Sequence, residues 1–225
     1  EKLRLPRTYC TGLNGIMCTE CGELLKSKVL PKLEEGSPLD NLLDVPDKAW
    51  YRETVAFVMN NDLFNGVDEI SFGPDKNMTR AMFVTVLGRL AGVEVDNNVK
   101  TAFTDIKKNQ YYTGYVKWAA ENGIVNGVSS TKFAPNADIT REQICTMIVR
   151  YCKYAEVELD SSADPALFRD ADAISKYAFE SVLLCNKAGI VKGRGNNTFA
   201  PKANATRAEV AQVLKNLCLG YLVVE

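Results

Sequence analysis

A chain of 225 residues with 46% hydrophobic content is long enough for one sizeable core or several small ones. Its 27 basic residues balance 28 acidic ones and no run is rich in Lys or Arg, which excludes the basic footprint that bulk attraction to nucleic acid or an anionic membrane needs. No apolar run reaches the length that crosses a bilayer, and the start at Glu1, without an initiator Met or an apolar leader, reads as a processed product or excised fragment.

Residues 1–40 form a Cys-containing segment and linker. Cys18-Thr19-Glu20-Cys21 is half of a zinc site, but with Cys10 it supplies only three local thiols, and the chain has no His to complete a tetrahedral set. A small hairpin clipped by one disulfide, with one thiol left over, is the working expectation; three reduced thiols are the alternative. Glu34-Glu35-Gly36-Ser37-Pro38 then reads as the linker.

Three copies of one phrase follow, in expected units of 41–100, 101–160 and 161–225. The first runs Asp44, Trp50, Tyr51, Gly66, Phe72, Pro74, Thr79, Arg80; the second Asp105, Tyr111, Tyr112, Gly127, Phe133, Pro135, Thr140, Arg141; the third Asp170, Tyr177, Gly193, Phe199, Pro201, Thr206, Arg207. From Gly to Phe to Thr-Arg the spacing is identical in all three, the mark of a modular array with one supersecondary element per unit.

Each copy reads as helix, loop, helix. Tyr111 to Asn122 carries one apolar face and ends at Asn122-Gly123, as a helix C-terminus does. Thr140 with Gln143 and Thr206 with Glu209 satisfy a capping box; Met82 replaces the partner in the first copy, so its cap is expected to be the weakest. Apolar stripes follow: Phe83, Val86, Leu87, Leu90; Ile144, Met147, Ile148, Tyr151; Val210, Val213, Leu214, Leu217. The expected fold is all-α, with the three second helices gathered in a central bundle and the loops projecting as prongs plugged by Phe72, Phe133 and Phe199.

Phe103-Thr104-Asp105-Ile106, Gly123-Ile124-Val125-Asn126-Gly127, Phe133-x-Pro135 and Ile139-Thr140-Arg141-Glu142 resemble the S-layer homology repeat of bacterial surface proteins. The third copy is as close; the first lacks the Phe before its Asp and the Glu that ends the motif. The resemblance covers about residues 42 to 220. It implies a pseudo-threefold spindle at the cell surface of a Gram-positive bacterium, anchoring its host protein to a pyruvylated secondary cell-wall polysaccharide in grooves between repeats. The groove residues it implies are Arg80, Arg141 and Arg207; Asp44, Asp105 and Asp170; Trp50 and Tyr111, with Lys176 at the third aromatic place; and Gly66, Gly127 and Gly193.

The residue types fit that role. A ketal-linked pyruvate is a carboxylate, and an Arg in the first turn of a helix offers a planar donor fork beside free backbone amides. Gly lets backbone approach a sugar, and an aromatic ring offers a flat apolar face. Arg141→Ala and Arg207→Ala are accordingly expected to weaken binding without loss of fold. Plainer readings stand beside these: the Arg residues solvated or bridged to an Asp, the Asp residues capping turns, and Tyr51, Tyr112 and Tyr177 in or at the edge of the core. Catalysis finds no support, since His is absent and no nucleophile motif, phosphate loop or dinucleotide fingerprint occurs; no cofactor is implied. The rival to glycan binding is a protein-interaction or self-assembly module of a surface lattice. Cys145, Cys152, Cys185 and Cys218 fall at apolar helix positions and read as buried, reduced thiols.

Overall fold

The computed structural model describes residues 39, 41–166 and 168–222, together with the backbone of two short strands ahead of them. Those strands, β1 (Leu13–Met17) and β2 (Leu24–Val29), pair antiparallel with Leu13 opposite Val29. Cys10, Cys18 and Cys21, on which the disulfide and zinc readings turn, lie outside the described residues.

The remainder is helical: α1 (Arg52–Asn60), α2 (Arg80–Leu90), α3 (Thr113–Glu121), α4 (Arg141–Tyr154), α5 (Phe179–Lys187) and α6 (Arg207–Leu217), the last running into a π turn over Cys218–Leu222. Two helices per copy, joined by a loop, are what the apolar periodicity dictates. All but one of the stripe residues named above are buried, Val213 being half-buried. Two compact units result: the described residues up to Asp75 with those from Arg207 onward, and Lys76–Thr206.

In the first unit α1 packs on α6, and Thr54 on α1 donates to the Gln212 side chain at 2.7 Å. In the second, α2 packs on α3 and α4 on α5, each against the first helix of the next repeat. Gly88 permits this: a Cβ there would lie 2.2 Å from the Tyr115 ring of α3. Closure between repeats runs through the segments that precede the Thr-Arg motifs. Met78 N–H donates to Ala205 O at 3.0 Å, Ala205 N–H to Ile139 O at 3.1 Å and Ile139 N–H to Met78 O at 2.9 Å, a ring of three backbone bonds.

The Thr79 hydroxyl accepts from Met82 N–H at 3.3 Å, although Met82 supplies no return bond. In the second copy Thr140 and Gln143 form the capping box that the sequence specifies, with Thr140 N–H donating to Gln143 Oε1 at 3.3 Å.

The residue between Phe and Pro adopts a left-handed conformation in every copy: Gly73 at φ 73°, Ala134 at 57°, Ala200 at 56°. Alanine there is strained by roughly 1 kcal/mol, the cost of bringing Cβ against the following carbonyl. Ala134→Gly is therefore expected to be neutral or to stabilise by up to about 1 kcal/mol in urea unfolding, where the same change in regular structure loses about that much. A clear loss of stability would remove the strain argument.

Cys145, Cys152, Cys185 and Cys218 are free thiols in the core. Burial pushes Cys152 and Cys218 up to about 12, and Cys185 is raised by its hydrogen bond to Cys145 and by burial, which keeps all three protonated.

Candidate functional site

The most repeated side chains meet at one backbone residue per copy. In the second unit, Asp105 accepts from Phe133 N–H at 2.9 Å through Oδ1 and from Ala134 N–H at 2.8 Å through Oδ2, while Arg80, from the preceding repeat, donates from Nε to Phe133 O at 2.9 Å. Asp170 takes Phe199 N–H and Ala200 N–H, both at 2.7 Å, while Arg141 Nε holds Phe199 O at 2.8 Å. In the first unit Asp44 takes Phe72 N–H at 2.8 Å and Gly73 N–H at 2.7 Å, and Arg207 Nε holds Phe72 O at 2.8 Å. A phenylalanine backbone is thus gripped on its N–H side by its own repeat and on its C=O side by another.

Each guanidinium makes a second bond into the same loop. Arg80 Nη2 reaches Asn126 O at 3.1 Å, Arg141 Nη2 reaches Lys192 O at 2.8 Å and Arg207 Nη2 reaches Asn65 O at 2.7 Å. The forks also lie over Phe133, Phe199 and Phe72, 4.7 to 4.9 Å from the ring centroids. Their exposures are only 4%, 9% and 6%. These arginines are buried, and they read the carbonyls of the next loop.

Two further sequence arguments change. The first-turn amides thought free for an anion already have partners: Arg80 N–H donates to Ala137 O at 2.9 Å, Ala81 N–H to Pro135 O at 3.0 Å and Ala208 N–H to Pro74 O at 3.0 Å. The glycines are required by their own loops, because a Cβ would lie 2.5 Å from Asp68 O at Gly66, 2.3 Å from Ser129 O at Gly127 and 2.8 Å from the Phe168 ring at Gly193.

Burial opposes ionisation of Asp105 and Asp170, but the amide donors outweigh it and hold both carboxyls below the usual range, helped by Lys132 and Arg141 respectively. Burial lowers Arg80, partly offset by Tyr177 and Asp105.

An open groove of 370 Å³ lies in the second unit, lined by Arg80, Asn126, Gly127, Val128, Gln143, Thr146, Met147, Arg150 and Tyr177. Of the residues the sequence nominated, it collects Arg80 and Gly127. Tyr111 does not line it; Tyr111 and Trp50 are exposed rings, 52% and 63%, each edge-on to the buried or half-buried tyrosine beside it. Tyr177, expected in or near the core, is 56% exposed on the groove wall. Its hydroxyl donates to Glu142 Oε1 at 3.1 Å, and burial together with the Glu142 charge pushes it up to about 12. Glu142 is held in turn by Lys202 at 2.6 Å and by Ser175 N–H and Oγ–H at 2.9 Å; Lys202 also bonds Ser175. Burial raises the Glu142 carboxyl, and these donors bring it below its ordinary value.

Arg150, Gln143 and Tyr177 were not assigned to the site from sequence. The available signal was the place nine residues after each motif arginine, which holds Arg89, Arg150 and Asn216, and the tyrosine aligned in all three copies.

A family model for the S-layer homology domain matches residues 42–82, 102–145 and 167–211. The chain belongs to the S-layer homology domain family. It is 30% identical over 174 residues to an amylopullulanase of Thermoanaerobacterium thermosulfurigenes, covering 77% of this chain and 9% of that protein. It is 32% identical to an endoglucanase of Bacillus sp. strain KSM-635 over 77% of this chain and 18% of the enzyme. The S-layer protein sap of Bacillus anthracis is 26% identical over 76% of this chain and 20% of its own length. This S-layer homology chain therefore spans a fifth or less of these relatives, and what it shares with the two enzymes is confined to that portion. Family membership makes it a cell-surface module of the kind that anchors surface proteins to the cell wall. Among the described residues no helix is long and apolar enough to cross a membrane.

Proposed function

We propose that the chain attaches its host protein non-covalently to the wall by binding a pyruvylated secondary cell-wall polysaccharide, without catalysis. The observation that carries this reading is the groove with two guanidinium groups, Arg80 and Arg150, beside the exposed face of Tyr177. Its 370 Å³ falls in the range of small-molecule sites, about 300–1,000 Å³. A pyruvate ketal supplies the carboxylate for such donors, and a pyranose supplies an apolar face for the ring.

In this reading the motif residues act through their loops. Arg80, Arg141 and Arg207 with Asp44, Asp105 and Asp170 hold the loops rigid, and Gly66, Gly127 and Gly193 let them close. Trp50 and Tyr111 are further stacking faces. Several weak contacts along one repeating polymer add through effective concentration.

The test is calorimetry of the soluble chain with purified wall polysaccharide, before and after mild acid removes its ketal pyruvate. Saturable binding that disappears with the pyruvate is expected. Binding indifferent to pyruvate would remove the pyruvate from the reading, and self-association indifferent to the polymer would replace it with the lattice-assembly alternative.

A further inference from the structure

We propose that Arg150, rather than the repeated Arg80, takes the anionic group of the ligand in the groove, with the Gln143 NH2 and the flat ring of Tyr177 completing an acceptor-selective pocket. The inference rests on the glycan reading above and assigns its charge recognition to a residue outside the repeated Thr-Arg motif.

The two arginines differ in what they have left to offer. Arg80 is 4% exposed, with Nε and Nη2 committed to Phe133 O and Asn126 O, and any swing toward a ligand strips both carbonyls. Arg150 is half-buried on the same wall and has no hydrogen-bond or ion-pair partner among the described residues. A cation that is partly desolvated yet unpaired is costly unless something else meets it. It stands nine residues into α4, more than two turns from the helix start, so the fork itself and not the helix dipole supplies the charge.

The neighbours are biased the same way. Gln143 spends Oε1 on Thr140 N–H, which leaves its NH2 for the groove. Tyr177 spends its proton on Glu142, and the Glu142 charge is met by Lys202 at 2.6 Å, so the wall behind the phenol does not repel an anion as a bare carboxylate would. Arg150 and Tyr177 line the same groove. A ligand entering here meets surplus donors and one flat face: an acceptor-rich, carboxylate-bearing sugar fits, and a cationic or neutral one forgoes the main contact. The third repeat carries Glu209 and Asn216 at the places of Gln143 and Arg150, so this donor pair is not general to the repeats.

The test uses the whole chain and two probes, the methyl glycoside of a pyruvylated amino sugar and the same glycoside without pyruvate. Arg150→Ala is expected to weaken the pyruvylated probe about 10- to 100-fold, or to remove one site from the stoichiometry. It should leave the melting temperature unchanged. Arg150→Lys should recover part of the affinity, keeping charge but not the fork. If Arg150→Ala binds the pyruvylated probe with wild-type affinity and stoichiometry, the assignment is wrong while the glycan reading stands. If the wild-type chain fails to prefer the pyruvylated probe, the pyruvate part of the glycan reading fails and this assignment with it.

Discussion

Arg141→Ala is expected to lower stability by about 3 to 5 kcal/mol, and not merely to weaken ligand binding. Removing the side chain leaves Phe199 O and Lys192 O without donors where Nε and Nη2 now reach them at 2.8 Å, and strips a cation from 4.9 Å above the Phe199 ring. The stranded Phe199 acceptor, which is buried, costs about 1 to 3 kcal/mol, the part-buried Lys192 acceptor about 1, and the stacked cation contributes about 1. A fall in melting temperature of roughly 10 °C should follow for a unit of this size. Arg141→Lys should sit between, because one ammonium on a flexible stem does not bridge two carbonyls as the planar fork does. A melting temperature within a degree or two of wild type for Arg141→Ala would refute the clamp. The expectation from sequence, that this change spares the fold, is reversed by the same geometry; loss of wall binding in such a variant says little about the ligand.

The second large effect is in acid. Asp105, Asp170 and Glu142 all have folded-state carboxyls held below their ordinary values. A depressed carboxyl contributes stability that is fully present above the unfolded pKa, about 4, and is lost as pH falls through the lower folded value. Melting temperature should therefore be flat from pH 7 to about 5 and fall steeply below about 4. Asp105→Asn should cost about 2 to 4 kcal/mol at neutral pH, since a neutral amide accepts at one atom only and turns an NH2 against the other backbone donor. It should also shallow the acid limb, having removed one of the titrating groups. Thermal melts of both proteins from pH 7 to 2.5 check the two statements together. A limb of unchanged slope in the variant would mean that Asp105 does not titrate as the geometry requires. Because Asp170 and Arg141 grip opposite sides of Phe199, their substitutions should combine to less than the sum of the singles.

Much of the fold is legible in the residues alone. The identical spacing from Gly66 to Phe72 to Arg80, and its two echoes, specifies three copies of one helical element, and the stripe from Phe83 to Leu90 specifies which face is buried. Repetition is the reason: a pattern written three times separates signal from accident, and helical period converts it to a buried face. The Phe-x-Pro plugs were readable for the same reason, and all three rings are fully buried.

The roles of the repeated polar residues were decided by tertiary structure. Asp105 meets the backbone of residues 28 and 29 places away, and Arg80 meets a carbonyl 53 places away in the next repeat. No local period encodes which distant amide or carbonyl a side chain will reach, so a residue that completes the loop and one that meets a ligand look alike in sequence. Arg150 shows the converse: only the folded chain reveals that it has no hydrogen-bond or ion-pair partner among the described residues while lining the same groove as Arg80.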